Sequence, residues 1–232
     1  VILEILEWCL TPCSIHARRA GFLSRQIAIR HRARRCRREW ASHLKSSKDF
    51  ISKHAIGGQC CVILGSGHLH DIDLEFLKNR FQEVVLVDVV HPLEIQFMSR
   101  FSQGRVCLMG VDLSPVFQEC KNSACDPEIL DLMSQADFVV SACLLSQLAW
   151  ALPRELHHAV CENHLRLLRL SKSALLITDT ARRFDGDWEP LLSGYHLPEP
   201  SESWIWDIAP PREHGISETG MEQRLVEGFV IR

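Results

Sequence analysis

The sequence predicts an α/β protein. Its core is a doubly wound, mostly parallel sheet with an antiparallel strand pair at the C-terminal end and a helical extension at the N-terminal end. Three observations predict this. Continuous apolar runs of strand length recur from residue 60 onward, stripes of helical period separate them, and two further apolar runs near the C-terminus have no helical pattern between them. Continuous apolar strands suit a sheet covered on both faces. Strands alternating with helices imply right-handed crossovers between parallel neighbours.

The N-terminal stretch VILEILEWCLTPC is apolar but broken by Glu4 and Glu7. Its basic residues come after the apolar stretch, the wrong order for a secretory leader. No apolar run is long enough to cross a membrane, so a cytoplasmic location is expected. Trp40, Leu44, Ile51 and Ala55 form one stripe at spacings of 4, 7 and 4. They predict a helix over about 34–55, packed on the remainder of the chain and ended by Gly57-Gly58. Strands are expected at 60–65, 84–88, 105–112, 136–142 and 174–179, then the pair 204–209 and 225–231, which makes seven. Intervening helices are marked by Leu74, Leu77 and Phe81, by Ile129, Leu132 and Met133, and by Leu156, Val160, Leu167 and Leu168. The expected division is a basic helical extension, 1–57, and a Rossmann-like domain, 58–232.

Composition excludes several classes. The chain has 232 residues, 46% hydrophobic and 24% charged, which is ordinary for a globular protein. At this length about 70% of the unfolded surface can be buried, so no staple is required. The ten cysteines form no two CxxC pairs, which disfavours structural zinc. They read as reduced thiols. Charge is uneven: the net is −3, with +8 in residues 1–56 and −11 in the rest. Nine arginines fall between Arg18 and Arg38. Such a run can grip phosphates, giving a possible weak nucleic-acid contact, or can form a solvated helix face. No aromatic ladder accompanies it to stack bases.

In an open α/β sheet, ligands bind beyond the carboxyl ends of the strands. Those ends are Gly65-Ser66-Gly67, Asp88, Asp112, Ser141 to Cys143, and Asp179. The two glycines let a ligand approach the backbone. Asp88 can take both hydroxyls of a ribose, and Asp112 can meet an adenine amino group. A dinucleotide fingerprint wants a third glycine where His70 stands. The next helix starts late, so a pyrophosphate would lie far from its N-terminus. A nucleoside ligand without phosphate, such as S-adenosylmethionine, suits the loop better.

The run VILGSG, VVLVD, MGVD, ADFVVSA and LLITD, closed by a strand pair, resembles the class I S-adenosylmethionine-dependent methyltransferase family over roughly 58–232. GSGHLHDIDLEFL, LVDVVHP and SACLLSQL are similar to a bacterial branch of methyltransferase-like proteins. The resemblance implies seven strands with the last antiparallel. It places Gly65, Ser66 and Gly67 at the cofactor's amino-acid end, Asp88 at the ribose and Asp112 at the adenine. Ser141, Ala142 and Cys143 would border the transfer site. The chain departs from the pattern at Leu69, where the family has its third glycine. It also lacks the acidic residue on strand one and the Asn/Asp-Pro-Pro-aromatic motif of amino-methylating nucleic-acid enzymes.

Three residues are catalytic candidates: His68, His91 and Cys143. His68, His70 and Asp71 come after strand one and His91 after strand two, so adjacent strands would bring them to one rim. They could support the loop, act as a base or, less in keeping with their spacing, hold a metal. No metal is assigned. Ser146 and Gln147 could orient a substrate or pack the next helix. Residues 182–200 read as a rim loop or lid. Two other functions compete with a methyltransferase of unknown substrate: a non-catalytic binding protein that retains the fold, and a nicotinamide-dependent oxidoreductase.

Overall fold

The computed structural model describes residues 2–113, 127–150, 154–192, 195–209 and 221–231. Four helices come first: α1 (Ile2–Leu10), α2 (Ile15–Arg19), α3 (Phe22–Arg35) and α4 (Arg37–His54). The alternating part begins with β1 (Gly58–Leu64), α5 (Leu74–Arg80), β2 (Phe81–Asp88), α6 (Leu93–Arg100) and β3 (Val106–Gly110). It continues with α7 (Pro127–Gln135), β4 (Phe138–Ala142), α8 (Leu145–Trp150), α9 (Arg154–Leu168) and β5 (Ala174–Phe184). β6 (Glu189–Pro190), β7 (Glu202–Ala209) and β8 (Glu222–Ile231) complete the chain.

The strand order is β3-β2-β1-β4-β5-β8-β7, with β6 paired to β5. Strands β1 to β5 run parallel to one another, and β8 runs antiparallel to both β5 and β7. This is the doubly wound, seven-stranded path with an antiparallel last strand that the sequence led us to expect. The tail pair closes one edge of the sheet as expected, with β7 and β8 side by side and antiparallel. β8 inserts between β5 and β7, leaving β7 outermost. The loop expected to join these two strands, 210–220, lies outside the described residues, as do Cys120 and Cys125.

Pleating explains the continuous apolar runs. Val62, Leu64, Val85, Val87 and Val139 face one cluster, with Ile129 and Met133 of α7 and Leu165 and Leu168 of α9. Cys61, Ile63, Val84, Leu86 and Val140 face the other, with Trp40, Phe50 and Ile51 of α4 and Leu77 of α5. Successive residues point to opposite faces, so both parities must be apolar. The second cluster runs unbroken across the boundary at 57/58, so the N-terminal helices share a core with the sheet.

The stripe on α4 buries Trp40 and Ile51 as expected, together with His43, Ser47 and Phe50. The helix begins at Arg37, because Cys36 takes φ −95°, ψ 24° and separates it from α3. Phe50 lies flat over β8, where a Cβ on Gly228 would come within 2.8 Å of its ring. The N-terminal residues are also built in: Glu7 of α1 pairs with Arg30 of α3 at 2.7 Å. Of the nine arginines, Arg18, Arg30 and Arg32 are half-buried and the other six are exposed. The expected rim loop is partly a hairpin: Arg182–Phe184 continue β5, and β6 folds back on Ala181 and Arg182.

Candidate functional site

β1 ends in a turn fastened to β2. The Gly65 and Ser66 amides both donate to the Val87 carbonyl, at 2.9 and 3.3 Å. Gly65 and Gly67 take φ of 69° and 46°, a left-handed region that glycine enters without steric cost. Leu69, where the family pattern has glycine, also takes a positive φ, 57°. The backbone keeps the glycine shape although the side chain has changed.

Asp88 closes this turn. Its Oδ2 accepts the Gly67 amide at 2.7 Å and Gln26 Nε2 at 3.3 Å, and its Oδ1 accepts the Val89 amide at 2.7 Å. Burial pushes the carboxyl above its ordinary range, against the opposing pull of these amides and of His91. Gln26 comes from α3, so the N-terminal extension reaches the Asp88 end of the site.

One cavity of about 210 Å³ opens at this edge of the sheet, between β1 and β4, and is walled by Gly65, Ser66, Gly67, His68, Asp88, Asp112, Ala142 and Cys143. It therefore joins eight of the ten residues to which the sequence assigns a cofactor-binding, transfer-site or catalytic role. Asp112 sits at the rim, where His16 Nε2 approaches its Oδ2 at 3.4 Å. The helices α3 and α4 supply the opposite wall, with Phe22, Gln26, Trp40 and Leu44.

Two expectations need correction. Ser141 does not border the cavity. The pleat turns it to the α9 face, where its Oγ bonds His164 Nε2 at 2.9 Å in full burial. His91 also turns away. Its Nε2 donates to the Met109 carbonyl at 3.1 Å, and the side chain lies in a neighbouring cleft with Cys13, Val90 and Gln96. The expected gathering of His68, His70 and His91 thus breaks after the first two, whose rings stack at 5.4 Å.

His68 reaches the cavity but is committed elsewhere. Nδ1 meets Glu94 Oε1 at 2.7 Å and Nε2 meets the Gln26 carbonyl at 3.0 Å. Both partners are acceptors, so the ring serves as a strut between loop, α6 and α3. Burial would raise the Glu94 carboxyl, but its own backbone amide, His68 and Arg30 outweigh it and hold the carboxyl low. Cys143 lines the cavity with φ 52°. Burial, then Asp71 and Asp179, push its thiol well above the ordinary range, so it is no ready nucleophile. Ser146 donates to Asp179, and Gln147 donates to the Cys143 carbonyl at 2.7 Å. Both support the wall.

The inner end holds a group that the sequence did not point to. His43 Nε2 lies 2.9 Å from Asp71 Oδ1, Trp204 Nε1 donates to His43 Nδ1 at 3.0 Å, and the His43 ring stacks on Trp206 at 4.1 Å and 8°. Ligand atoms of His43, Asp71 and Cys143 fall within 4.8 Å of one another, the metal-like cluster found among the described residues. The donor set does not fit a metal. A ligating histidine donates its second N–H outward, whereas here Nδ1 receives a proton from an indole that can only donate. Nε2 therefore carries the ring proton. A signal for His43 was present: it lies three residues after Trp40 on the apolar stripe, a polar residue where packing alone wants none.

No protein-family profile matches the chain, and no curated protein does. Among solved structures, the chain is similar to a 1,6-didemethyltoxoflavin-N1-methyltransferase from Burkholderia thailandensis. The identity is 14%, the TM-score 0.49, and 93% of this chain and 91% of that one are covered. It is also similar to the YcgJ protein from Bacillus subtilis (11% identity, TM-score 0.47, coverage 81% and 99%). A SAM-dependent methyltransferase from Leishmania major gives 11% identity, TM-score 0.40 and coverage of 96% and 81%. The fold assignment rests on the chain's own strand order and on the antiparallel β8.

Proposed function

We propose that this chain is a methyltransferase that uses S-adenosylmethionine, with 58–232 as the transfer unit and 1–57 as its helical cover. The observation that carries the reading is the Gly67 amide fixed on Asp88 at 2.7 Å, in a cavity that also reaches Asp112 and Ala142–Cys143. The residues fit the cofactor. The Gly65–Gly67 turn lines the cavity, and the Ser66 Oγ is buried without a hydrogen-bond partner. Leu113 and Leu148 supply apolar walls. A pyrophosphate is disfavoured, because Asp73 caps α5 by accepting the Phe76 amide at 3.0 Å. That puts a carboxylate where the anion would bind.

The cofactor, when bound, supplies an electrophilic methyl group. The chain's part is to orient and to exclude water. Gly67 aims the Asp88 carboxylate, whose long bond to Gln26 is the one a ribose hydroxyl can replace. The Ala142–Leu144 backbone forms the wall beside the reacting end. Of the exposed arginines, Arg25 alone lines the cavity, and the reading gives the others a structural and solubilising role.

Calorimetry with S-adenosylmethionine and S-adenosylhomocysteine tests the reading. Both bind, and Asp88→Ala weakens them at least about 10-fold, a change of roughly 1.4 kcal/mol. No binding of either at millimolar concentration sinks it, and leaves a non-catalytic binding protein on a methyltransferase-like fold. In a gel-shift series from about 50 to 200 mM salt, bulk RNA gives no retained band.

A further inference from the structure

We infer that the inner half of the cavity binds a compact organic cation, a protonated nitrogen base, with Asp71 as its counter-charge; it rests on the methyltransferase reading only in making that base the methyl acceptor. Asp71 lines the cavity with its side chain 22% exposed. Its Oδ1 faces His43 Nε2 at 2.9 Å, off the line a hydrogen bond requires. His43 cannot turn, because Trp206 stacks on its face and Trp204 donates to Nδ1. It therefore offers Asp71 an N–H dipole and no positive charge. Lys48 of α4 acts on His70 through space and His68 meets two acceptors, but neither pairs with Asp71. Burial, then His68, push His70 towards its neutral form, against Asp71 and Glu94, and Cys143 stays a thiol. Arg25 stands on the rim, with its guanidinium over Phe22 at 6.0 Å. No lysine or arginine among the described residues pairs with Asp71.

A half-buried carboxylate without a counter-charge is costly, and a cationic ligand offsets that cost. The walls specify an organic cation. Trp40, Leu44, Ile72 and Trp206 line the same cavity as the carboxylate, and aromatic walls favour such cations. A bare metal ion is opposed by the proton on Nε2. The Trp206 Nε1, buried and without a hydrogen-bond partner, leaves one donor for an acceptor atom of the same ligand. Asp71 can also take the base's proton: the N–H bond breaks, an O–H bond forms on the carboxyl, and the electron pair stays on nitrogen. His43 is a positioning residue in this arrangement.

Calorimetry on the full chain compares benzylamine with benzyl alcohol, its neutral counterpart of similar shape, with and without S-adenosylhomocysteine. Benzylamine binds at least about 10-fold more tightly. Asp71→Asn erases the preference while leaving benzyl alcohol binding and the thermal midpoint in place. Trp204→Phe frees Nδ1 to take a proton, so His43 competes for Asp71 and benzylamine weakens several-fold while benzyl alcohol does not. Equal affinity for the two probes, or a preference that survives Asp71→Asn, overturns the proposal. So does an Asp71→Asn effect on S-adenosylhomocysteine alone, which would give Asp71 to the methyl donor. A preference for benzylamine with no S-adenosylhomocysteine binding leaves the cation site standing and removes the methyltransferase reading.

Discussion

Gln26 of α3 and Gly67 of the β1 turn donate to the same oxygen of Asp88, at 3.3 and 2.7 Å. The short bond builds the site and the long one covers it. On the proposed methyltransferase reading, a ribose hydroxyl takes the position that Gln26 holds. Gln26→Ala is therefore expected to tighten S-adenosylhomocysteine several-fold, the opposite sign to Asp88→Ala. Titration calorimetry on the two variants reads both signs, and a weaker Gln26→Ala complex would mean that Gln26 itself touches the ligand.

His164 makes stability fall in acid. Full burial lowers its imidazole from 6.5 to about 3. Between those values the unfolded chain binds a proton that the folded one refuses, so stability drops as pH falls from about 6.5 towards 3. The loss is on the order of several kcal/mol. Urea midpoints across that window show a shallower slope for His164→Gln. An unchanged slope would place the acid sensitivity elsewhere.

Gly228 is held to its size by Phe50. A Cβ there meets the ring at 2.8 Å, and Phe50 is fully buried. Gly228→Ala should cost about 1–3 kcal/mol by overpacking, seen in the thermal midpoint. The double variant Gly228→Ala, Phe50→Leu recovers part of that loss if the clash is the cause.

Thiol chemistry separates exposed from buried cysteines. Cys9 is exposed and Cys143 is buried, with its thiol pushed up. Iodoacetamide at pH 8 is expected to label Cys9 and spare Cys143, as read by peptide mass spectrometry. Rapid labelling of Cys143 in the folded chain would reopen its role as a nucleophile.

The sheet was legible because its strands are apolar at both parities, and the glycine turn and Asp88 because they fall at strand ends. Ser141 departs from the expectation for a reason the same pattern contains: a strand end is not one face, because the pleat sends alternate residues to opposite sides. His91 was misplaced because a turn of two residues after Asp88 reverses the direction of its side chain, which spacing does not show. Gln26 and His43 were missed because helix residues come to the edge of a sheet only through tertiary packing. Their sequence neighbours describe α3 and α4 and not the cavity those helices close.

The cavity has two walls of different descent. One is made of strand ends, where a change in Gly65, Gly67 or Asp88 disturbs the turn between β1 and β2. The other is made of side chains on α3 and α4, among them Trp40 and Leu44 of the stripe that also packs α4 on the sheet. Exchanges at Phe22 of α3, outside the core that α4 shares with the sheet, can reshape what enters while the sheet's bonding stays as it is. Diversification of ligand choice in proteins built this way should accumulate on α3, and a chain cut at residue 57 would lose Trp40, Phe50 and Ile51 from the core it shares with the sheet along with its cover.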